Sequence, residues 1–249
     1  METKIKEAIN FHKKGELDKA KEVCLEILKS DPKNFNILHL IGIIFFQKKN
    51  YKDSEEHIRK AIEINPNFAD AHINHGIALK FLNKIVDSIK SWDKAIKINP
   101  KNFTAYNHKG VALVELRQHE EAIKCWNQAI KIKPDFVEAY NNIGNALNEL
   151  KKFDEALVNY DQAIKIKPNF AEAYNNRASV LSSTNKLEDA LASCENAIKI
   201  KPNFADAYNN KGIIQVKLKK LDDALNSYED AIKLKPNFAD AYNNRGILQ

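Results

Sequence analysis

Glycine and proline are scarce, seven of each in 249 residues, and there are only three cysteines, two tryptophans and one methionine. So few helix breakers leave no room for a flexible Gly/Pro-rich linker. The cysteines, Cys24, Cys125 and Cys194, are odd in number and too widely spaced for a metal knuckle. A disulfide framework is therefore not expected, and a reducing compartment fits. The amino terminus, Met-Glu-Thr-Lys-Ile-Lys, lacks the apolar core of a signal peptide, and no stretch approaches the ~18 apolar residues that would span a bilayer. A cytoplasmic chain with no membrane contact is expected. No Ser/His/Asp order, Gly-rich phosphate loop or cysteine nucleophile setting is present, so neither an enzyme nor a cofactor is expected from these residues.

What is present is a repeat. The stretch Lys167 to Asn176 (Lys-Pro-Asn-Phe-Ala-Glu-Ala-Tyr-Asn-Asn) returns nearly verbatim at Lys201 to Asn210 and Lys235 to Asn244, with a looser copy from Lys133 to Asn142. All seven prolines, Pro32, Pro66, Pro100, Pro134, Pro168, Pro202 and Pro236, keep the same 34-residue interval. A fixed period of this length predicts a stacked array. Counted from Met1 the units are 1–34, 35–68, 69–102, 103–136, 137–170, 171–204 and 205–238, with a remnant at 239–249. Residue places below are numbered within a unit.

The first half of each unit carries apolar residues at helical spacing, as in Ala139, Ile143, Ala146 and Leu150 beside Tyr140, Gly144 and Leu147. The second half does the same with Ala156, Leu157, Tyr160, Ala163 and Ile164. A short polar turn such as Lys151-Lys152 separates them, and proline ends the second helix because it lacks an N–H and restricts the residue before it. Each unit is expected to be a helical hairpin. Small residues at the eighth place (Gly42, Gly76, Gly110, Gly144, Ala178, Gly212, Gly246) stand against bulky ones at the twenty-fourth (Ile58, Trp92, Trp126, Tyr160, Tyr228), as interlocking helices require.

Tyr at the fourth place, Gly at the eighth, Ala at the twentieth, an aromatic at the twenty-fourth and Pro at the thirty-second resemble the tetratricopeptide repeat, over the whole chain. The resemblance implies one all-α domain over 1–249, a right-handed superhelical solenoid of antiparallel helix pairs with seven repeats and a partial eighth. It also implies that the first helices line a concave, ligand-binding groove. Two departures stand out. The first unit, with Ala8 and Ile27 for the usual Gly and Ala, reads as a cap. The seventh place, commonly Leu, is His75, Lys109, Arg177, Lys211 and Arg245. These read either as aliphatic stems with the charge in water, the preferred reading, or as a basic edge beside the groove.

Places 2, 6, 9 and 13 of the first helices form a polar stripe, Glu138, Asn142, Asn145 and Glu149 in one unit. The sixth place is Asn74, His108, Asn142, Asn176, Asn210 and Asn244, and the fifth adds Asn107, Asn141, Asn175, Asn209 and Asn243. Asn is a mediocre helix former, so two mid-helix columns of it call for a reason. A carboxamide offers a donor and an acceptor, as a peptide unit does. With packed helices about 8 to 10 Å apart and an extended chain advancing about 3.3 Å per residue, one rung would meet a peptide about every third residue. The structural alternative is that one Asn of each pair bonds neighbouring repeats. The sixth-place column also resembles the ladder in the repeat domain of O-linked N-acetylglucosamine transferases, where the resemblance implies that asparagines hold the backbone of protein substrates.

Five rungs with two hydrogen bonds of about 1 kcal/mol each would be largely offset by an association cost of ~4 to 15 kcal/mol, so weak, promiscuous binding is expected. The family's carboxylate clamp is not expected, because the fifth place has no Lys and the second is mostly acidic: Asp70, Thr104, Glu138, Glu172, Asp206 and Asp240. His72, His75 and His108 lack a completing ligand at a convincing spacing, so no metal site is expected. The net charge of +6 comes with lysines near helix carboxy termini (Lys131, Lys165, Lys199, Lys233), where they complement the helix dipole, and nucleic acid is not an expected partner. The expected partner is an extended segment of another protein. Two further readings follow from the remnant 239–249, a first helix without its second: a substrate-docking arm of a larger enzyme, such as a glycosyltransferase with its catalytic domain beyond Gln249, or a homo-oligomer built through the uncovered last helix.

Overall fold

The computed structural model describes residues 2–248; Met1 and Gln249, the outer bounds of the first unit and of the remnant, lie outside the described residues. Among the described residues there are fifteen α-helices and no strand. They group into two compact units, 1–132 and 133–249. The amino-terminal unit holds four helix hairpins: α1 (Glu2–Lys13) with α2 (Leu17–Ser30), α3 (Phe35–Gln47) with α4 (Tyr51–Ile64), α5 (Ala69–Phe81) with α6 (Ile85–Ile98), and α7 (Phe103–Glu115) with α8 (His119–Ile132). The carboxy-terminal unit holds three more, α9 (Val137–Glu149) with α10 (Phe153–Ile166), α11 (Ala171–Ser183) with α12 (Leu187–Ile200), and α13 (Ala205–Lys217) with α14 (Leu221–Leu234), followed by α15 (Ala239–Leu248).

The period is built into each hairpin at a few places. The fifteenth residue, between the helices, has positive φ in every turn: Gly15, Lys49, Asn83, Arg117, Lys151, Asn185 and Lys219. Around Lys151 the N–H of Lys152 reaches back to the carbonyl of Leu147, a 6→1 closure that satisfies the end of α9. Only Gly15 and Asn185 or Asn83 suit that left-handed conformation; the others adopt it against a steric cost of about 1–2 kcal/mol. The hairpin's packing holds it in place.

The second contact is the eighth place against the twenty-fourth. A Cβ added to Gly144 would stand 2.5 Å from Cε1 of Tyr160, and one on Gly76 2.5 Å from Nε1 of Trp92. The ring lies flat on the helix backbone, and nothing larger than glycine fits beneath it. Where the large residue is missing, so is the glycine: Ala8 faces Cys24 in one core cluster and Ala178 faces Cys194 in another, all four fully buried. Volume is conserved across the contact, as a close-packed interior demands.

Helices start in two ways. In 1–132 the side chains of Asn34, Asn50 and Asn102 accept from the backbone N–H groups of Ile37, Asp53 and Ala105. At the thirty-fourth place of the other repeats stands Phe68, Phe136, Phe170 or Phe204, with no side-chain cap. Packing of the ring replaces the capping hydrogen bond, and the ammonium groups of Lys167, Lys201 and Lys235 lie 5.2, 4.5 and 4.3 Å from the centroids of Phe170, Phe204 and Phe238.

Candidate functional site

The two asparagine columns sit on α9, α11, α13 and α15, one residue apart and so turned about a hundred degrees from each other. That rotation gives them different jobs. Asn141, Asn175 and Asn209, at the fifth place, are only 7–8% exposed. Each Oδ1 accepts from the Nδ2 of the sixth-place residue one repeat later: Asn176 to Asn141 at 3.0 Å, Asn210 to Asn175 at 2.9 Å, and Asn244 to Asn209 at 3.0 Å. The fifth-place side chains are thus spent largely between repeats, with little surface left for a ligand. The sixth-place residues Asn142, Asn176, Asn210 and Asn244 are half-buried. A carboxamide has two N–H donors and a carbonyl; after the bond to the preceding repeat, Asn176, Asn210 and Asn244 each keep one N–H and the oxygen.

The amino-terminal unit makes the same link with different chemistry. The fifth place of its second repeat is His39, whose Nε2 lies 2.8 Å from Nδ2 of Asn74. The amide donates, so the imidazole accepts and is neutral; its pKa is lowered by burial, partly opposed by Asp70. His108, at the sixth place, stacks on the buried Trp92 with centroids 5.6 Å apart, and burial again lowers its pKa. Asn107 accepts from the indole N–H of Trp126 at 3.0 Å. Asn145 is exposed and accepts from the hydroxyl of Tyr160 at 2.8 Å.

At the seventh place the stems of Lys109, Arg177 and Lys211 are largely covered and their charged heads pair with exposed acids, so they are not a free basic edge. Lys109 pairs with Asp93 at 2.6 Å, Arg177 with Asp161 at 2.7 Å, and Lys211 with Glu195 at 3.6 Å. Every acid stands at the twenty-fifth place of the repeat before, sixteen residues upstream. Where that place is Arg59, the seventh-place residue is His75, which turns to Glu55 (3.1 Å) and Ser91 (2.9 Å). The pairing was present in the sequence as acid and base at a fixed spacing, a signal that reading within single units passes over.

The His75, Ser91 and Glu55 cluster has the residue types of a hydrolytic triad, but the Ser91 hydroxyl donates to the carbonyl of Asp87 and is buried. Its counterpart Ser193 takes a hydrogen bond from Arg177 in the same place, so the cluster is a joint of the array. His72 is drawn to the carbonyl of Pro66 at 2.9 Å. Among the described residues no group of three His, Cys, Asp or Glu side chains is placed to hold a metal ion. The three thiols are free and buried, and burial pushes Cys24 up to about 11 and Cys194 up to about 12, which makes them poor nucleophiles. Among the described residues no helix is long and apolar enough to cross a membrane.

One surface feature has no counterpart in the sequence reading. In the amino-terminal unit the ninth place is apolar (Ile43, Ile77, Val111), and a cleft of about 270 Å³, its open mouth included, is lined by Ile43, Phe46, Ile58, Asn74 and Ile77.

Family models described as tetratricopeptide repeat match residues 35–68, 171–204 and 205–238, and 91–124; one described as TPR repeat matches 112–150 and 144–184. The chain belongs to the tetratricopeptide repeat family. No curated protein sequence matches it. Among solved structures, the tetratricopeptide fold recurs in a repeat protein from Parabacteroides merdae, 17% identical with a TM-score of 0.75 over 99% of this chain and 98% of that one. MamA is 26% identical with a TM-score of 0.63, over 66% of this chain and 96% of its own. YrrB, a TPR protein with an unusual peptide-binding site, is 24% identical with a TM-score of 0.61, over 77% of this chain and 99% of its own.

Proposed function

We propose that this tetratricopeptide array is a protein-interaction module that holds an extended segment of a partner, with the sixth-place carboxamides Asn142, Asn176, Asn210 and Asn244 gripping its backbone. One observation carries the reading: Asn176, Asn210 and Asn244 each spend one N–H on a buried fifth-place acceptor and keep an N–H and a carbonyl at a half-buried surface. Those remaining groups match the C=O and N–H of a peptide unit. Anchoring by the fifth place removes rotamer freedom before the ligand arrives, which lowers the entropic cost of binding. In residues 1–132, Asn74 and His108 take the equivalent role. Asn141, Asn175 and Asn209 position the row, and Asn145 flanks it.

The architecture tolerates such a role, since YrrB is a TPR protein with a peptide-binding site of its own. Affinity is set by the backbone, so it is weak and tolerant of sequence. The buried free thiols fit a reducing compartment such as the cytoplasm. The test is fluorescence anisotropy with a labelled Ala/Ser/Thr peptide against Asn142→Ala, Asn176→Ala and Asn210→Ala combined. Binding is lost while helicity by circular dichroism is kept; retained affinity sinks the reading.

A further inference from the structure

We propose that residues 1–132 add a side-chain pocket to the backbone grip, one that takes a bulky aliphatic or aromatic side chain of the bound segment. The inference rests on the reading of Asn74 as a backbone-gripping rung and names the kind of segment it holds. The cleft lies between α3 and α5. Ile43 and Ile77, both at the ninth place, form its walls, Ile58 its floor, and Asn74 its only polar lining. Ile58 is fully buried beneath Gly42, so the floor is fixed. Beside it Phe46, Tyr51 and Phe81 form an aromatic cluster, with ring centroids 5.0 Å apart for Phe46 and Phe81 and 4.8 Å for Tyr51 and Phe81. Phe81 leaves 56% of its surface exposed.

Size and polarity choose the occupant. Five side chains line the cleft, a patch far smaller than the ~800 Å² face of a stable dimer. It accepts one side chain. No charged group lines it, so a Lys or Glu entering would lose hydration without a partner. Asn74 donates one N–H to His39 and keeps its carbonyl and second N–H at the lip, which suits the peptide unit of the residue whose side chain is inserted. A free lipid or hydrocarbon would use the walls and leave the lip unpaired.

Methyl NMR of the full chain carrying ¹³C-methyl isoleucine tests this, with N-acetyl-leucinamide and N-acetyl-serinamide as the probes. The leucine amide should shift the methyls of Ile43 and Ile77 saturably and leave Ile143 and Ile214 in place; the serine amide should shift none. Ile77→Trp, which fills the cleft, should abolish the response with helicity unchanged. In parallel, a labelled Ala/Ser/Thr peptide with one central Leu should bind about tenfold tighter than the same peptide with Ser there. No methyl shift overturns the pocket, as does a shift produced by concentrating the protein alone, which would mean a second copy fills it. Equal affinity for the two peptides overturns it and leaves the backbone grip standing. Methyl shifts without affinity for either peptide uphold the pocket and sink the grip.

Discussion

The two compact units share one period and differ in composition. Residues 1–132 contain all seven histidines and both tryptophans, with 23 Lys and Arg against 17 Asp and Glu; residues 133–249 have 16 of each sign and no His or Trp. Asn side chains cap α3, α4 and α7 of the first unit, whereas α9, α11 and α13 of the second start on Phe, as α5 of the first does; the ninth place is Ile43, Ile77 and Val111 in the first and Asn145, Ser179, Ile213 and Ile247 in the second. Yet the left-handed turn residue and the small-against-large contact persist in both. The fold thus depends on a few volumes and one backbone conformation, and the remaining positions are free to set chemistry.

The contrast can be broken most sharply at the twenty-fourth place. Trp92→Ala should cost about 3–5 kcal/mol in urea denaturation, because the indole is fully buried on Gly76. In the second unit Cys194→Tyr alone should cost about 1–3 kcal/mol by overpacking against Ala178. Adding Ala178→Gly should recover much of it, since that pair of changes rebuilds the Gly144/Tyr160 arrangement; an additive outcome would refute the volume coupling. Next in size is Asn175→Ala, which leaves the Asn210 donor unpaired beside a cavity and should cost about 1–3 kcal/mol without changing helicity.

Acid should separate the units. Burial lowers the pKa values of His39, His75 and His108, with Asp70 and Glu55 opposing the shift at the first two and Lys80 adding to it at the third. The unfolded chain therefore binds protons before the folded one does, and stability is lost as pH falls below the ordinary histidine value of about 6.5. Both tryptophans report on residues 1–132 alone, so the melting midpoint by Trp fluorescence should fall between pH 7 and 5. Hydrogen exchange in residues 133–249, corrected for intrinsic rate, should show no matching loss of protection. The smallest effect lies in the turns: Lys151→Gly should stabilise by no more than about 1 kcal/mol, and Gly15→Ala should destabilise by about as much.

The hairpins were legible because proline, glycine and alanine recur at fixed places, and each has a physical reason to be there. The asparagine columns were legible as columns. Their division of labour was not, because residues one apart look equivalent in a string and only the helix rotation, with a bond spanning 35 residues, separates Asn175 from Asn176. The pairing of Arg177 with Asp161 crosses from one repeat to the next and is likewise invisible to reading unit by unit. The positive φ at Lys151 left no trace, since lysine has no preference for it. The cleft beside Asn74 gathers residues from α3, α4 and α5, which the sequence could not bring together.

The central claim is that the fifth place positions and the sixth place grips, and one pair of variants tests it directly. Asn141→Ala, Asn175→Ala and Asn209→Ala combined removes three inter-repeat hydrogen bonds, including the two that the sixth-place set removes through Asn176 and Asn210, while keeping the half-buried carboxamides. Under conditions where both variants are fully helical, anisotropy with the Ala/Ser/Thr peptide should show binding weakened but measurable in the fifth-place variant and absent in Asn142→Ala, Asn176→Ala and Asn210→Ala. Equal loss in the two, or loss in the fifth-place variant alone, would contradict the account.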